Sequence, residues 1–79
     1  MNNPELAALF SEIADLLEIQ NANPFRIRAY RNASRTIRTF TEPISDIFHD
    51  LDRKLTELPG IGKDLAEKIV VALNTGDLP

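Results

Sequence analysis

Few side chains in this sequence can do chemistry, and they fall in two places. The first is LPGIGKDLAEKI, residues 58–69, where Gly60 and Gly62 flank Ile61 just after Pro59. Glycine reaches backbone conformations with φ > 0 and lets another backbone come close. Gly62 precedes a helical apolar pattern, and the start of a helix offers free N–H groups and a positive dipole end. That end suits a phosphate, and Lys63 adds charge beside it. Carbonyl oxygens on the incoming side could instead face a hydrated monovalent cation. Lys68 stands near the end of the stretch. A lysine amine is a nucleophile only when unprotonated, a state that burial or nearby cations favour. Lys68 falls at the edge of an apolar face, next to Ala72 in helical projection, so partial burial is expected. Two plainer readings remain open: a helix–helix turn with glycine for its geometry, and a solvated surface lysine.

The second place is the run from residue 23 to residue 40. It holds Arg26, Arg28, Arg31, Arg35 and Arg38 and no acid. On a helix, Arg28, Arg31, Arg35 and Arg38 gather within roughly an 80° arc, and Arg26 lies apart, near Tyr30. Guanidinium forks suit phosphate oxygens. The alternative is a solvated face paired with acidic neighbours, which adds little stability. The net charge of −3 argues against nucleic acid, but the charges are segregated. Residues 1–22 carry Glu5, Glu12, Asp15 and Glu18 and no base. Tyr30 serves either the core, with its ring, or a phosphate, with its hydroxyl. His49 stands alone among polar residues and reads as a surface residue. Asp50 and Asp52 read as a cation-binding pair or, more simply, as a solvated face or a cap. With no cysteine, thiolate metal sites and disulfides are excluded.

Helices must position these groups. Asn3 and Pro4 suit the start of a first helix through Ile19, with Leu6, Leu9, Phe10, Ile13, Leu16 and Leu17 on its apolar face. QNAN breaks that pattern. Asn23 and Pro24 repeat the start for a second helix through about Phe40, whose inner side is Tyr30, Ala33, Ile37 and Phe40. A third apolar set, Ile44, Ile47, Phe48, Leu51, Leu55 and Leu58, predicts a short helix broken near Asp50 to Asp52, then a further turn or two. The last helix runs from just after Gly62 to about Asn74, with Leu65, Ile69, Ala72 and Leu73 inward and Gly76 as its C-terminal cap. No strand-like alternation appears. The fold class expected is all-α, a compact bundle of four to five short helices filling residues 1–79 as one domain. At this size a domain buries only roughly 60% of the surface its unfolded chain exposes. MNNPEL lacks the basic start and apolar core of a signal peptide, and no apolar run is long enough to cross a bilayer. A cytoplasmic, monomeric protein or fragment is expected.

The turn PGIG followed by a helix resembles the helix-hairpin-helix motif, which grips DNA backbones without reading bases. NPFRIRAYRNASRTI, followed at this distance by LTELPGIGKDLAEKIVVALNTGDLP, resembles the N-terminal domain of family X DNA polymerases. The likeness is nearest to the bacterial type, and more distant to the eight-kilodalton domain of DNA polymerase beta. It covers nearly the whole chain. The resemblance implies a DNA-binding module of a DNA repair polymerase, holding gapped or single-stranded DNA, or the 5′-phosphate side of a gap. Its contacts would come from Arg26, Arg28, Tyr30, Arg31, Arg35, Gly60, Ile61, Gly62 and Lys63. It implies K⁺ or Na⁺ on the carbonyls of Thr56, Leu58 and Ile61. Polymerase Mg²⁺ or Mn²⁺ would belong to the rest of a longer enzyme, whose remaining domains would be its other partners. It further implies that Lys68 matches the Schiff-base lysine of a 5′-deoxyribose-phosphate lyase, with Glu67 beside it. Two positions depart from the pattern. Asp64 stands where a basic residue is expected one turn before Lys68, and Thr56 replaces another just before the turn. An acid at Asp64 repels phosphate, and Lys63 offsets it in part. A third reading is a docking module with little DNA affinity.

Overall fold

The computed structural model describes residues 1–76; Asp77, Leu78 and Pro79, the end of the segment quoted above, lie outside them. Four α-helices and one 3₁₀ turn follow in order: α1 (Asn3–Ile19), α2 (Pro24–Thr39), α3 (Ile44–His49), the 3₁₀ turn Leu55–Glu57 and α4 (Lys63–Thr75). No strand occurs among the described residues. The all-α expectation holds. The radius of gyration is 11.9 Å, close to about 12 Å for a compact chain of this length.

The start of α1 differs from the sequence expectation. Asn2, not Asn3, is the cap: its side chain accepts from the Glu5 N–H at 2.8 Å, and the Glu5 carboxylate accepts from the Asn2 N–H at 3.0 Å. This reciprocal box satisfies two otherwise free donors. Asn3 is released for a longer reach. It donates to the Glu42 carbonyl and accepts from the Ile44 N–H, both at 2.8 Å. One side chain thus ties the beginning of the chain to the start of α3.

The break at QNAN has a backbone cause. Asn21 sits at φ 55°, the Ala22 N–H reaches the Leu17 carbonyl at 2.9 Å, and the Asn21 N–H reaches that of Glu18 at 3.1 Å. This is a Schellman ending with asparagine in the left-handed position. α2 then starts as expected, with the Asn23 side chain accepting from the Phe25 N–H at 2.8 Å, and it runs back along α1. Phe10 and Tyr30 meet with ring centroids 5.6 Å apart. Beyond them, farther from the α1–α2 loop, lies a buried polar contact that periodicity did not show. The Ser34 hydroxyl donates to the Ala7 carbonyl and meets the Ser11 hydroxyl, each at 2.7 Å. Small side chains at Ala7, Ala14 and Ala33, all buried, let the two helices approach.

The core gathers Leu6, Phe10, Ile37, Ile44, Ile47 and Ile69. Leu58, Ile61 and Leu65 are also buried, so the segment around the PGIG turn is anchored by its apolar side chains. Two expected core residues are corrected. Leu16 is exposed because it lies at the edge of the α1 face, and Leu51 is fully exposed because α3 ends at His49. Asp50 accepts from the Asp52 N–H at 2.9 Å, a local turn that lifts Leu51 away from the bundle. Asp50 is therefore a turn cap, one of the simpler readings, and Asp52 is exposed. No group of three metal-binding side chains occurs among the described residues.

Candidate nucleic-acid interface

The hairpin is built by Leu58, Pro59, Gly60 and Ile61. The Ile61 N–H donates to the Leu58 carbonyl at 3.1 Å, and Gly60 sits at φ 77°. Proline second and left-handed glycine third is the pattern of a type II turn. A second tether comes from α2, where the Thr36 hydroxyl donates to the Pro59 carbonyl at 3.0 Å. The turn is thus pinned by core side chains below and by α2 at its side.

Gly62 behaves differently from Gly60. Both were expected to use glycine's freedom, yet Gly62 sits at φ −82° and ψ −178°, extended backbone that any residue adopts. A Cβ built on it would meet nothing within 4 Å. Neither backbone strain nor internal crowding requires glycine there. Gly62 caps α4 without a side chain, and the following N–H groups at Lys63, Asp64 and Leu65 have no side-chain cap. These donors lie at the positive end of a thirteen-residue helix.

Beside the hairpin runs a groove between α2 and α4. Arg26, Tyr30 and Lys68 line it together with Gly60, Gly62 and Asp64. The same three side chains also line an adjoining depression against α1, near Leu16 and Gln20. Arg26, Tyr30 and Lys68, distant in sequence, are therefore brought together. Tyr30 is 95% buried (5% exposed) and its ring belongs to the core. Among the described residues no buried side-chain polar atom lacks a partner, so its unbonded hydroxyl reaches solvent at the groove. Lys68 is exposed, against the expected partial burial, because the α4 face that turns inward is Leu65, Ile69 and Ala72. Asp64 and Glu67 line the groove as well, which makes its charge mixed.

The arginine face of α2 lies elsewhere. Arg28, Arg31 and Arg35 border a separate depression with Glu18 and Pro24. Arg31 is engaged: its guanidinium pairs with Glu18 and, at 3.1 Å, with Asp15, both on α1. Hydrogen bonds to Glu18 and then Asp15 raise its pKa further above the ordinary arginine value. Arg31 straps α2 to α1. Arg28 lies 5.8 Å over the Phe25 ring, a cation–π distance. Arg35 and Arg38 are exposed and make no ion pair among the described residues. Arg53 is a second strap, joining Glu42 at 2.6 Å and Glu57 at 2.7 Å, so it holds the α2–α3 loop to the 3₁₀ turn.

Two features near the hairpin escaped the sequence reading. Thr36 was one more polar residue on α2, and nothing local marks a bond to Pro59. Lys54 immediately precedes the 3₁₀ turn and lines one depression with Lys63. Its position directly before the LTELPG segment was the available signal.

No helix among the described residues is long and apolar enough to cross a membrane. No curated protein gives a match to this sequence. The family model for the helix-hairpin-helix domain matches residues 1–78, nearly the whole chain. With the pinned PGIG turn opening α4, the chain belongs to the helix-hairpin-helix domain family, whose members generally bind DNA.

Proposed function

We propose that this domain holds gapped or single-stranded DNA by its backbone phosphates, as the DNA-binding module of a repair polymerase of family X. The observation that carries the reading is Gly62. Its conformation and surroundings admit a side chain, so the reason for glycine lies in what approaches from outside. A phosphate at the N-terminus of α4 would meet free N–H groups, the helix dipole and Lys63. Arg26, the Tyr30 hydroxyl and Lys68 would receive a 5′-phosphate in the neighbouring groove, where Asp64 and Glu67 weaken the preference. Arg28 and Arg35 supply further, weaker phosphate contacts, and Arg31 is held back by its own ion pairs.

A monovalent cation completes the site. The carbonyls of Thr56 and Leu58 come from the end of the 3₁₀ turn, and that of Ile61 from the far side of the hairpin. They form an oxygen-only donor set, and the Leu58 and Ile61 side chains are turned into the core. K⁺ or Na⁺ held there would supply positive charge to the phosphate. Polymerase chemistry, with its own divalent ions, belongs to other domains of the parent enzyme.

The meeting of Lys68 with Arg26 and Tyr30 favours a second reading, a 5′-deoxyribose-phosphate lyase. The Lys68 amine would attack the sugar aldehyde carbon and form a Schiff base with loss of water. Loss of a C2′ proton would then break the C3′–O bond and release the downstream strand with its 5′-phosphate, and hydrolysis of the imine would free Lys68. Borohydride trapping on an incised abasic substrate tests it: a Lys68-dependent adduct supports it, and its absence removes it.

For the main reading, the domain is titrated against gapped DNA with and without a 5′-phosphate, at two salt concentrations. Binding should weaken steeply with salt, by about 0.7–0.9 log unit per log unit of salt for each phosphate contact. Absence of binding at low salt would leave a docking module instead.

A further inference from the structure

On another face of α4 from Lys68 lies an open depression bordered by α3, the 3₁₀ turn and α4. Its volume is about 380 Å³, within the range of sites for small organic groups. Phe48 forms an aromatic wall, and Leu55 and Val70 supply apolar surface. Lys54 and Lys63 stand in its lining. Both are exposed, and neither makes an ion pair among the described residues. Arg53 also lines it, already held by Glu42 and Glu57. Glu67 is the single carboxylate in the lining.

The position of the lysines matters. Lys54 immediately precedes the 3₁₀ turn, and Lys63 is the first residue of α4. They bracket the hairpin in sequence and meet in one depression beside it. A strand gripped at Gly60 to Lys63 that continued in this direction would reach positive charge next to an aromatic and apolar surface. That combination suits a nucleotide: phosphate on the ammonium groups, base against the ring. Base–aromatic stacking with flanking cations is the general means of holding single strands without sequence preference.

We propose that this depression receives one unpaired nucleotide of the strand held by the hairpin, with Lys54 and Lys63 on its phosphate and Phe48 against its base. The proposal rests on the DNA-binding reading above. It extends the interface to α3 and assigns roles to Lys54 and Phe48. It also makes the domain favour single strand over duplex, because a paired base cannot turn into the depression.

The test measures fluorescence anisotropy of labelled oligothymidylate, and of an abasic oligomer of equal length, on the 79-residue chain. The Lys54→Ala/Lys63→Ala variant should bind oligothymidylate at least tenfold more weakly at low salt, with the salt slope reduced by about 1.4 for two phosphate contacts on a single strand. Phe48→Leu should weaken oligothymidylate by roughly fivefold or more, leave the slope unchanged and have no effect on the abasic oligomer. A second measurement avoids variants: in the unsubstituted domain, the Phe48 ring protons should shift with oligothymidylate and not with the abasic oligomer. Equal effects of Phe48→Leu on both oligomers, or no ring shift, would overturn the base contact. Lys54→Ala binding both oligomers as the unsubstituted chain does would overturn the proposal while the hairpin reading, which also uses Lys63, stands. No binding at low salt would overturn both. Ring shifts on adding an acidic, apolar peptide but none with either oligomer would make the depression a protein-docking surface and would also overturn it.

Discussion

The hairpin side and the arginine face of α2 both carry basic residues, and they use them differently. On the α2 face the densest charge in the sequence is partly consumed within the molecule: Arg31 is held by Asp15 and Glu18 on α1. Around the hairpin the cations are no more numerous, but Lys54 and Lys63 make no ion pair among the described residues, and Lys63 opens α4 with its uncapped N–H groups. The difference teaches that a count of arginines measures charge present, not charge available. A ligand meets only what the neighbouring elements have left unpaired.

Five substitutions sharpen this contrast, from the largest effect to the smallest. Gly60→Ala should cost roughly 1–2 kcal/mol of stability in a denaturant titration, since alanine at φ 77° is strained. Gly62→Ala should cost less than about 1 kcal/mol in the same experiment, the difference between glycine and alanine at a helix cap. It should nevertheless lower DNA affinity about tenfold, because a methyl group would stand between the backbone and the phosphate. Should the two variants change stability equally, the distinction between the glycines is lost. Thr36→Val removes the bond to Pro59 and should cost about 0.5–1.5 kcal/mol, with faster amide exchange at Ile61 as its sign. The smallest effects lie on the α2 face. Arg35→Ala should reduce the salt slope of DNA binding by less than one unit. Arg31→Ala should leave the slope unchanged and lower the melting temperature slightly, a loss that high salt abolishes. A larger slope change for Arg31 than for Arg35 would break the comparison.

Much of this was legible in the residues. Asn23 and Pro24 announced α2, Gly76 announced the end of α4, and Pro59 with Gly60 announced the turn, because each acts through local backbone chemistry. The capping box at Asn2 was legible too, since Glu5 stands three residues on, but Pro4 drew attention to Asn3. Other features depend on distant partners and had no local sign. The reach of Asn3 to Glu42 and Ile44 spans about half the chain. Ser34 sits on the buried face only because Ala7 leaves room and a carbonyl for it. The capture of Arg31 needs the relative rotation of α1 and α2, which periodicity does not set. The exposure of Lys68 depended on the same kind of detail, the exact inward face of α4.

Amide chemical shifts recorded while a single-stranded oligonucleotide is added test the central claim most directly, because they compare the two regions in one sample. The account predicts the largest changes at Gly60, Gly62, Lys63, Asp64 and Leu65, with smaller ones at Arg28 and Arg35. Changes greatest along the arginine face and absent from the hairpin would contradict it.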